Sequence, residues 1–205
     1  IEIFAVGIGP GSFTGLRVGI ATAQALAITQ GRQVVPVPTL DAVAAAGMNN
    51  KVGVASEATD TNMLPGRDCT VVWMDGQRGH VFAGLYVAGA FDCGLLRPKC
   101  IAGPQVGDPA VVLDAMIRFL ADYGDELTVD VVGTAVARDK NLLEQRLANV
   151  SASLSVAIGE SALAPVMARL VAANQYEAVS PDKLQPLYVR RPDAVLARER
   201  RIGCE

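Results

Sequence analysis

The chain has little of the chemistry on which most enzymes rely. It contains one histidine, His80, among 205 residues, so a two-histidine metal site cannot be built and a Ser/His/Asp triad would have to use His80. The hairpin predicted around His80 places it beside a turn at the start of a strand, where an ordinary strand histidine is a simpler interpretation than a catalytic base. The sequence therefore predicts no catalytic residue and no metal site.

Other scarcities narrow the class of protein further. The four cysteines form no Cys-x-x-Cys pair, which favours a reduced cytoplasmic setting over a disulfide framework. No apolar run reaches the ~18 to 20 residues of a membrane span, so no membrane partner is expected. The 18 basic residues are outnumbered by 21 acidic ones, whereas proteins that bind nucleic acid directly usually carry a basic surplus. Strong direct binding of nucleic acid is therefore not expected.

A glycine-rich turn joins an apolar strand to a helix within residues 3–30. Such turns point free backbone N–H groups beyond the strand, and they often bind anions or nucleotides. Here Leu16 and Arg17 stand where a Walker loop has Lys and then Ser or Thr, and the dinucleotide fingerprint lacks its last glycine and its acidic residue. Nucleotide binding therefore stays open only as an alternative, with the candidate residues Gly9, Gly11, Ser12, Thr14 and Arg17.

The helix after this turn carries a small residue at every fourth position from Gly15 to Ala27. An interior glycine costs a helix about 1 kcal/mol relative to alanine, so Gly19 indicates that another element approaches closely. The neighbour is either the sheet of the chain itself or a helix of a partner. For the second interpretation, the predicted contact residues are Phe13, Gly15, Leu16, Gly19, Ile20, Ala23 and Ala27.

These residues resemble a known family. The segment GPGSFTGLRVGIATAQALA at 9–27 is similar to the signature of the bacterial TsaB (YeaZ-like) proteins. Weaker similarities follow in the order of that family: VVPVPTL at 34–40, WMDGQRGHVF at 73–82, VVGT at 131–134 and PLYVR at 186–190. Together they cover most of the chain.

The resemblance implies an α/β, actin/Hsp70-like fold of two subdomains. It implies an accessory, non-catalytic role in forming N6-threonylcarbamoyladenosine at position 37 of tRNA, in a pair with a TsaD-like catalytic subunit that a TsaE-like ATPase joins. A homodimer is a further assembly to test. The chain would need no cofactor by itself, although ATP at the partner interface stays open. The alternatives are an ATPase of the same fold class that uses the turn at 9–15, and a peptidase, which the single histidine disfavours.

Members of the family usually carry a β-meander and a long helix ahead of the glycine-rich turn. The sequence as given begins within the strand before the turn, without these roughly sixty residues. We therefore expect an incomplete N-terminal subdomain, because strands that are consecutive in sequence usually pair in a sheet. The predicted units are a remnant of that subdomain at 1–55, a loop or insertion at 56–68, a C-terminal subdomain at 69–191 and a charged tail at 192–205.

Hydrophobic periodicity predicts the order of elements after the first helix. We expect strands at 33–37, 70–74, 80–87 and 128–132, and helices at 39–46, 108–123, 137–147 and 160–175. Gly47 is expected to end the second helix, and Pro165 is tolerated only in the first turn of the last one. Asp75 and the nearby Arg78 are interpreted as stabilising a turn, and Tyr188 and Arg190 as fixing a C-terminal strand to the body.

Overall fold

The computed structural model describes residues 1–54, 68–92, 95–121, 128–149, 151–155, 163–173 and 176–190. This part of the chain alternates strands and helices in the order β1-α1-β2-α2-β3-β4-β5-α3-β6-α4-β7-α5. The strands are β1 Ile3–Gly9, β2 Gln33–Pro38, β3 Asp68–Asp75, β4 Val81–Asp92, β5 Leu95–Gly107, β6 Thr128–Val132 and β7 Ser151–Ser155. The helices are α1 Phe13–Thr29, α2 Thr39–Val54, α3 Pro109–Ala121, α4 Lys140–Arg146 and α5 Leu163–Ala172.

Strands β1 and β2 form a parallel pair with helices on both faces. Alternate side chains of β1, namely Phe4, Val6 and Ile8, pack with the buried side of α1. The opposite face of the pair packs against α2 and α5 through Val35 and Val37. Because a strand points successive side chains to opposite faces, this near-continuous apolar sequence is the pattern expected of a pair covered on both sides.

The second sheet has five strands in the order β5-β4-β3-β6-β7. Strands β3, β4 and β5 are antiparallel neighbours, whereas β6 and β7 run parallel to β3. Trp73 lies on the face covered by α3 and α4, and Val72 lies on the face covered by α2. Helix α2 therefore packs against both sheets and is the principal connection between them.

The segment at 176–190 returns to the first sheet. Val179 exchanges two backbone hydrogen bonds with Val34, of 2.8 and 3.0 Å. Further along, the N–H of Leu187 donates to the carbonyl of Ile8 at 2.7 Å. The segment is irregular apart from one bridge and a 3-10 turn at Pro181–Lys183, so the C-terminal strand expected from the sequence is wrong. The expected attachment is present, because side chains in 188–190 bond to the body.

Gly47 does not end the second helix, contrary to the prediction. Helix α2 continues to Val54, and Gly47 lies in its interior. A Cβ at this position would lie 3.0 and 3.1 Å from the two methyl carbons of the buried Val132. The glycine therefore marks a close approach between α2 and the second sheet.

The other predicted elements are present with different ends. Helices α3, α4 and α5 and strand β6 lie within the predicted ranges, and Pro165 occupies the first turn of α5. The second strand of the hairpin extends five residues beyond the predicted end at 87, to Asp92. Strands β5 and β7 were not predicted. Most of the predicted insertion at 56–68 and all of the tail at 192–205 lie outside the described residues, and the predicted domain boundaries stay predictions.

Candidate functional site

Helix α1 starts from a side-chain cap. The Ser12 hydroxyl accepts a hydrogen bond from the N–H of Gly15 at 3.4 Å, and the Ser12 carbonyl accepts from the N–H of Leu16 at 2.9 Å. Serine at this position satisfies donors that the first helical turn would otherwise leave unpaired. At the other end Gly31 adopts a φ of 61°, a conformation that suits glycine after a helix.

One side of α1 is fixed against the first sheet. Ile20 and Ala27 are buried together with Val34 and Leu184. The amide of Gln24 donates to the carbonyls of Pro181 at 2.8 Å and Leu184 at 3.3 Å. These contacts fix which side of the helix faces outward.

The outward side of α1 is apolar and nearly uncharged, and we call it the contact face. Its large apolar members are exposed by 44% at Phe13, 62% at Val18, 44% at Leu26 and 66% at Ile28. Its other exposed members are small or polar, apart from one arginine: Thr14, Gly15, Arg17, Gly19, Ala21, Thr22, Ala25 and Thr29. A helix that exposes this much apolar surface with a single charge is typical of a protein interface.

The predicted small-residue stripe lies only partly on the contact face. Gly15 and Gly19 are exposed, Leu16 and Ala23 are half-buried, and Ile20 and Ala27 are in the core. Each step of four residues rotates about 40° around a helix of 3.6 residues per turn, so the stripe passes from the surface into the core. Including Ile20 and Ala27 among surface contacts is therefore wrong.

The space around Gly19 decides between two interpretations of that residue. A Cβ at Gly19 would have no neighbouring atom within 4 Å among the described residues. Close packing against the chain's own sheet is therefore not the reason for this glycine. The contact residues predicted from the sequence omitted Val18, Leu26 and Ile28. The absence of charged residues from 18–29 nevertheless indicates an apolar helix surface.

Arg17 belongs to a group of three side chains at the start of the contact face. Its guanidinium carbon lies 3.9 Å from the centroid of the Phe13 ring, and its Nε donates to the hydroxyl of Tyr188 at 3.0 Å. The rings of Phe13 and Tyr188 are 5.4 Å apart and tilted by 31°. Stacking on an aromatic face and a hydrogen bond together hold the guanidinium in one orientation. We call this group the arginine platform.

A cavity of about 380 Å³ lies beside the arginine platform, where β1 and β3 end. Its wall combines the turn before α1, the turn after β3 and the end of the C-terminal segment: Pro10, Gly11, Ser12, Phe13, Leu16, Asp75, Gly76, Gln77, Arg78, Phe82, Leu187, Tyr188, Val189 and Arg190. A second cavity of about 240 Å³ shares Gly11, Ser12, Asp75 and Gln77 with it. Ligands of open α/β sheets bind in this kind of place, outside the carboxyl ends of strands.

Arg138 holds the turn that follows β3. Its guanidinium pairs with Asp75 at 2.8 Å and with Asp139 at 2.8 Å, and it also donates to the carbonyl of His80. Asp75 in turn accepts the N–H of Gln77 at 3.0 Å, which is the turn-stabilising role predicted for it. The arginine paired with Asp75 comes from 63 positions along the chain, a contact that sequence reasoning missed.

The Asp139 carboxylate is the most firmly bonded member of this group. It accepts a hydrogen bond from the indole nitrogen of the buried Trp73 at 2.8 Å. Burial acts to raise the pKa of Asp139, but the hydrogen bonds from Arg138 and Trp73 and the charge of Arg138 outweigh it and lower the pKa below its usual value. Asp139 is therefore ionised at neutral pH and holds Arg138 against the turn that follows β3.

Asp41 forms a second polar group, between the two sheets. It accepts hydrogen bonds from the hydroxyls of Tyr86 at 2.8 Å and Tyr176 at 2.9 Å. Burial raises the pKa of Asp41, partly offset by these two bonds. Asp41 thus joins α2, β4 and the C-terminal segment, and its role is structural.

The chain itself packs closely against Gly9, the first glycine of the glycine-rich turn. A Cβ at Gly9 would lie 2.9 Å from the carbonyl oxygen of Leu187 and 3.0 Å from a methyl carbon of Leu16. Gly11 and Ser12 line the cavity, whereas Arg17 is engaged by the arginine platform. The five candidate nucleotide residues therefore do not converge on one point, and the nucleotide site stays a prediction without assembled geometry.

Within the described ranges, no group of three or more His, Cys, Asp or Glu side chains is placed to hold a metal ion. None of the helices in the described part of the chain combines the length and apolar character needed to cross a bilayer.

Two solved structures from Pseudomonas aeruginosa share the fold. One is described as an uncharacterized protein with similarity to peptidase YEAZ, with 22% identity and a TM-score of 0.58 over 93% of this chain and 74% of that one. The other is YeaZ, with 19% identity and a TM-score of 0.54 over 91% of this chain and 74% of that one. YeaZ has an actin/Hsp70-like fold, so the predicted fold class is confirmed.

Sequence comparison identifies the family. A Mycobacterium leprae protein described as uncharacterized protein ML0378 is 33% identical over 194 residues, which are 95% of this chain and 39% of that protein. The chain thus spans well under half the length of this curated relative. The model of the TsaD family, described as tRNA N6-adenosine threonylcarbamoyltransferase, matches residues 1–198. This chain therefore belongs to the TsaD family.

Proposed function

We propose that this chain is a TsaB-type accessory subunit within that family. It would pair with a TsaD-like catalytic subunit and support the formation of N6-threonylcarbamoyladenosine at position 37 of tRNA. The observation that carries the proposal is the contact face of α1, which exposes Val18 and Ile28 by more than half and has Arg17 as its one charge. An apolar face of this kind is stabilised by burial against another protein.

The division of labour follows from the scarcity of catalytic groups. Transfer of the threonylcarbamoyl group from an adenylate to N6 of adenine requires a site that binds both the adenylate and the tRNA. This chain has one histidine and a net charge of −3, and Asp75, the carboxylate on the wall of the larger cavity, is paired with Arg138. We therefore assign the chemistry and the binding of tRNA to the partner, and the positioning of that partner to α1.

The exposed glycines of the contact face allow another helix to approach closely. Gly15 and Gly19 are exposed one turn apart, so the backbone of α1 is bare along this part of the face. A partner helix can approach a bare backbone more closely than it can approach a helix covered with side chains. We propose that the partner packs a helix over Gly15 and Gly19, with Val18 at the side of that contact.

We also propose further components of this assembly. A TsaE-like ATPase would join the pair, with ATP at the partner interface, and a homodimer would use the same contact face in the absence of the catalytic subunit. A second candidate, a nucleotide-binding ATPase, is favoured only by the cavity with Arg78 and Arg190 on its wall. Gly9 of its phosphate turn, however, packs closely against Leu16 and Leu187.

A single substitution with a matched control tests the contact face. In the isolated chain a Cβ at Gly19 would meet no neighbouring atom within 4 Å among the described residues, and we expect the melting temperature of Gly19→Leu not to fall. In the complex the leucine should overpack the interface by ~1–3 kcal/mol, which corresponds to a roughly 5- to 150-fold loss of affinity. Gly19→Ala is the control, since it adds one carbon and removes the helix penalty of glycine.

The measurement is calorimetric titration of each variant against the TsaD-like subunit of the same organism, beside melting curves and size-exclusion chromatography. The proposal predicts that affinity falls in the order wild type, Gly19→Ala, Gly19→Leu while the isolated chain stays folded. Unchanged affinity for Gly19→Leu would place the interface elsewhere, and a lower melting temperature for the leucine variant would show that Gly19 is an internal contact.

A further inference from the structure

We propose that Arg17 sets the specificity of the contact face by receiving a carboxylate side chain from the catalytic subunit. This inference rests on the proposed function, because it names the chemistry that the partner must offer at the same face. It also assigns the arginine platform a function beyond attaching the C-terminal segment and bordering the cavity.

The platform prepares the guanidinium before a partner arrives. Of the five N–H donors of arginine, the one on Nε is used by the hydroxyl of Tyr188, which leaves four donors on the two terminal nitrogens. The ring of Phe13 supports the plane of the guanidinium from one side. A terminal fork held in this way matches the two oxygens of a carboxylate, and little side-chain freedom is lost when the pair forms.

Arg17 has no acidic partner among the described residues. Within the described residues, ion pairs are formed by Arg138, Lys140 and Arg146, and Arg17 is not among these pairs. Helix α1 contains no aspartate or glutamate, so no carboxylate one turn away along the helix balances the charge. The chain therefore presents an oriented, uncompensated positive charge at the start of an apolar face.

When a partner binds the contact face, the charge of Arg17 requires an opposite charge on that partner. When a protein covers the contact face, Arg17 loses water, and a desolvated charge without a counter-ion costs several kcal/mol. A partner that places an aspartate or glutamate opposite Arg17 removes this cost, whereas a partner that offers only apolar side chains is rejected. The exposed neighbours Gly15, Val18 and Ala21 carry no charge, so the requirement falls on one position.

A carboxylate fits the surroundings better than a phosphate of nucleic acid. Surfaces that bind the backbone of tRNA combine several cations in a patch. Here Arg17 is the only charged residue of α1, its exposed neighbours along the helix are small or apolar, and the whole chain has a net charge of −3. An acidic side chain within an otherwise apolar protein surface is the complementary partner.

Three variants distinguish the contributions of the positive charge of Arg17, of its planar guanidinium and of the orientation that Tyr188 gives it. Arg17→Gln removes the charge, Arg17→Lys keeps the charge without the planar fork, and Tyr188→Phe keeps the ring but removes the hydroxyl that holds Nε. Titrated against the TsaD-like subunit of the same organism, Arg17→Gln should lose about tenfold or more in affinity. Arg17→Lys and Tyr188→Phe should each lose less, and high salt should weaken wild-type binding more than binding by Arg17→Gln.

The outcomes distinguish this inference from the proposed function. If Gly19→Leu loses affinity but Arg17→Gln binds as wild type at every salt concentration, the contact face stands and the carboxylate is wrong. If wild type does not bind the catalytic subunit, the proposed function fails and this inference fails with it. A loss of tRNA binding in Arg17→Gln with unchanged affinity for the subunit would assign Arg17 to a phosphate and overturn the proposal. Recovery of Arg17→Glu by an arginine in place of one acidic residue of the partner would identify the pair.

Discussion

Replacing Gly133 by alanine perturbs the end of β6, beside the smaller cavity. Gly133 follows β6 directly and adopts a φ of 142°, which side chains of L-residues rarely permit. A Cβ here would lie 2.3 Å from the carbonyl oxygen of Trp73 and 2.7 Å from its carbonyl carbon. Both are backbone atoms of β3, so neither can turn away as a flexible side chain would. The strands themselves must shift.

The cost has two parts. The unfavourable backbone conformation contributes ~1–3 kcal/mol, and forced repacking contributes a further ~1–3 kcal/mol. In a chain of this size each kcal/mol lowers the melting temperature by roughly 2–4 °C, so Gly133→Ala should melt ~4–24 °C below wild type. Gly31→Ala is the matched control, because Gly31 has a φ of 61° but open space around its Cβ position, and it should lose only ~1–2 kcal/mol.

Thermal unfolding followed by circular dichroism, together with urea titration, measures both variants. The difference between them contains the collision with β3 and the higher conformational cost of a φ of 142° compared with 61°. If Gly133→Ala melts no lower than Gly31→Ala, the close approach of Gly133 to the backbone of β3 is wrong.

Three further predictions concern stability. Gly47→Ala should destabilise the chain because its Cβ meets the buried Val132, by up to ~2 kcal/mol in urea titrations once the helix preference of alanine is subtracted; a gain in stability would contradict the packing of α2. Asp139 has a lowered pKa in the folded chain, so its contribution should be lost as the pH falls through that pKa, and Asp139→Asn should flatten the acid limb of stability against pH. Asp41 has a raised pKa, so the folded chain should lose stability as the pH rises from ~3.9 through that pKa, and Asp41→Asn should remove this loss; parallel pH profiles for Asp41→Asn and wild type would refute it.

The sequence predicted buried elements better than edge strands. Strand β6 and helix α3 have apolar residues at regular spacing because they face the core on defined sides. Strands β5 and β7 lie at the two edges of the second sheet, where fewer side chains are buried and the apolar pattern weakens. Pro98 and Pro104 stand within β5, which is tolerated at an edge but removes the usual signature of a strand.

The candidate site was readable only along the helix. A serine cap such as Ser12 follows from local rules, whereas the spacing alone left open whether Gly19 faces the chain's own sheet or a partner. The drift of a four-residue repeat around the helix moved Ile20 and Ala27 into the core, a consequence of helix geometry that the spacing argument neglected. Tyr188 lies 171 residues from Arg17 in the sequence, and no local sequence pattern predicts a contact between residues so far apart.

Reconstitution of the modification reaction separates an accessory subunit from an enzyme. Purified chain, the TsaD-like subunit and the TsaE-like ATPase of the same organism are combined with tRNA, threonylcarbamoyl-adenylate and ATP, and N6-threonylcarbamoyladenosine is quantified by mass spectrometry of the digested tRNA. We expect no product and no ATP hydrolysis with this chain alone, product when all components are present, and a marked loss of product when Gly19→Leu replaces wild type. Turnover by the chain alone, or equal product with and without it, would show that the chain is not an accessory subunit.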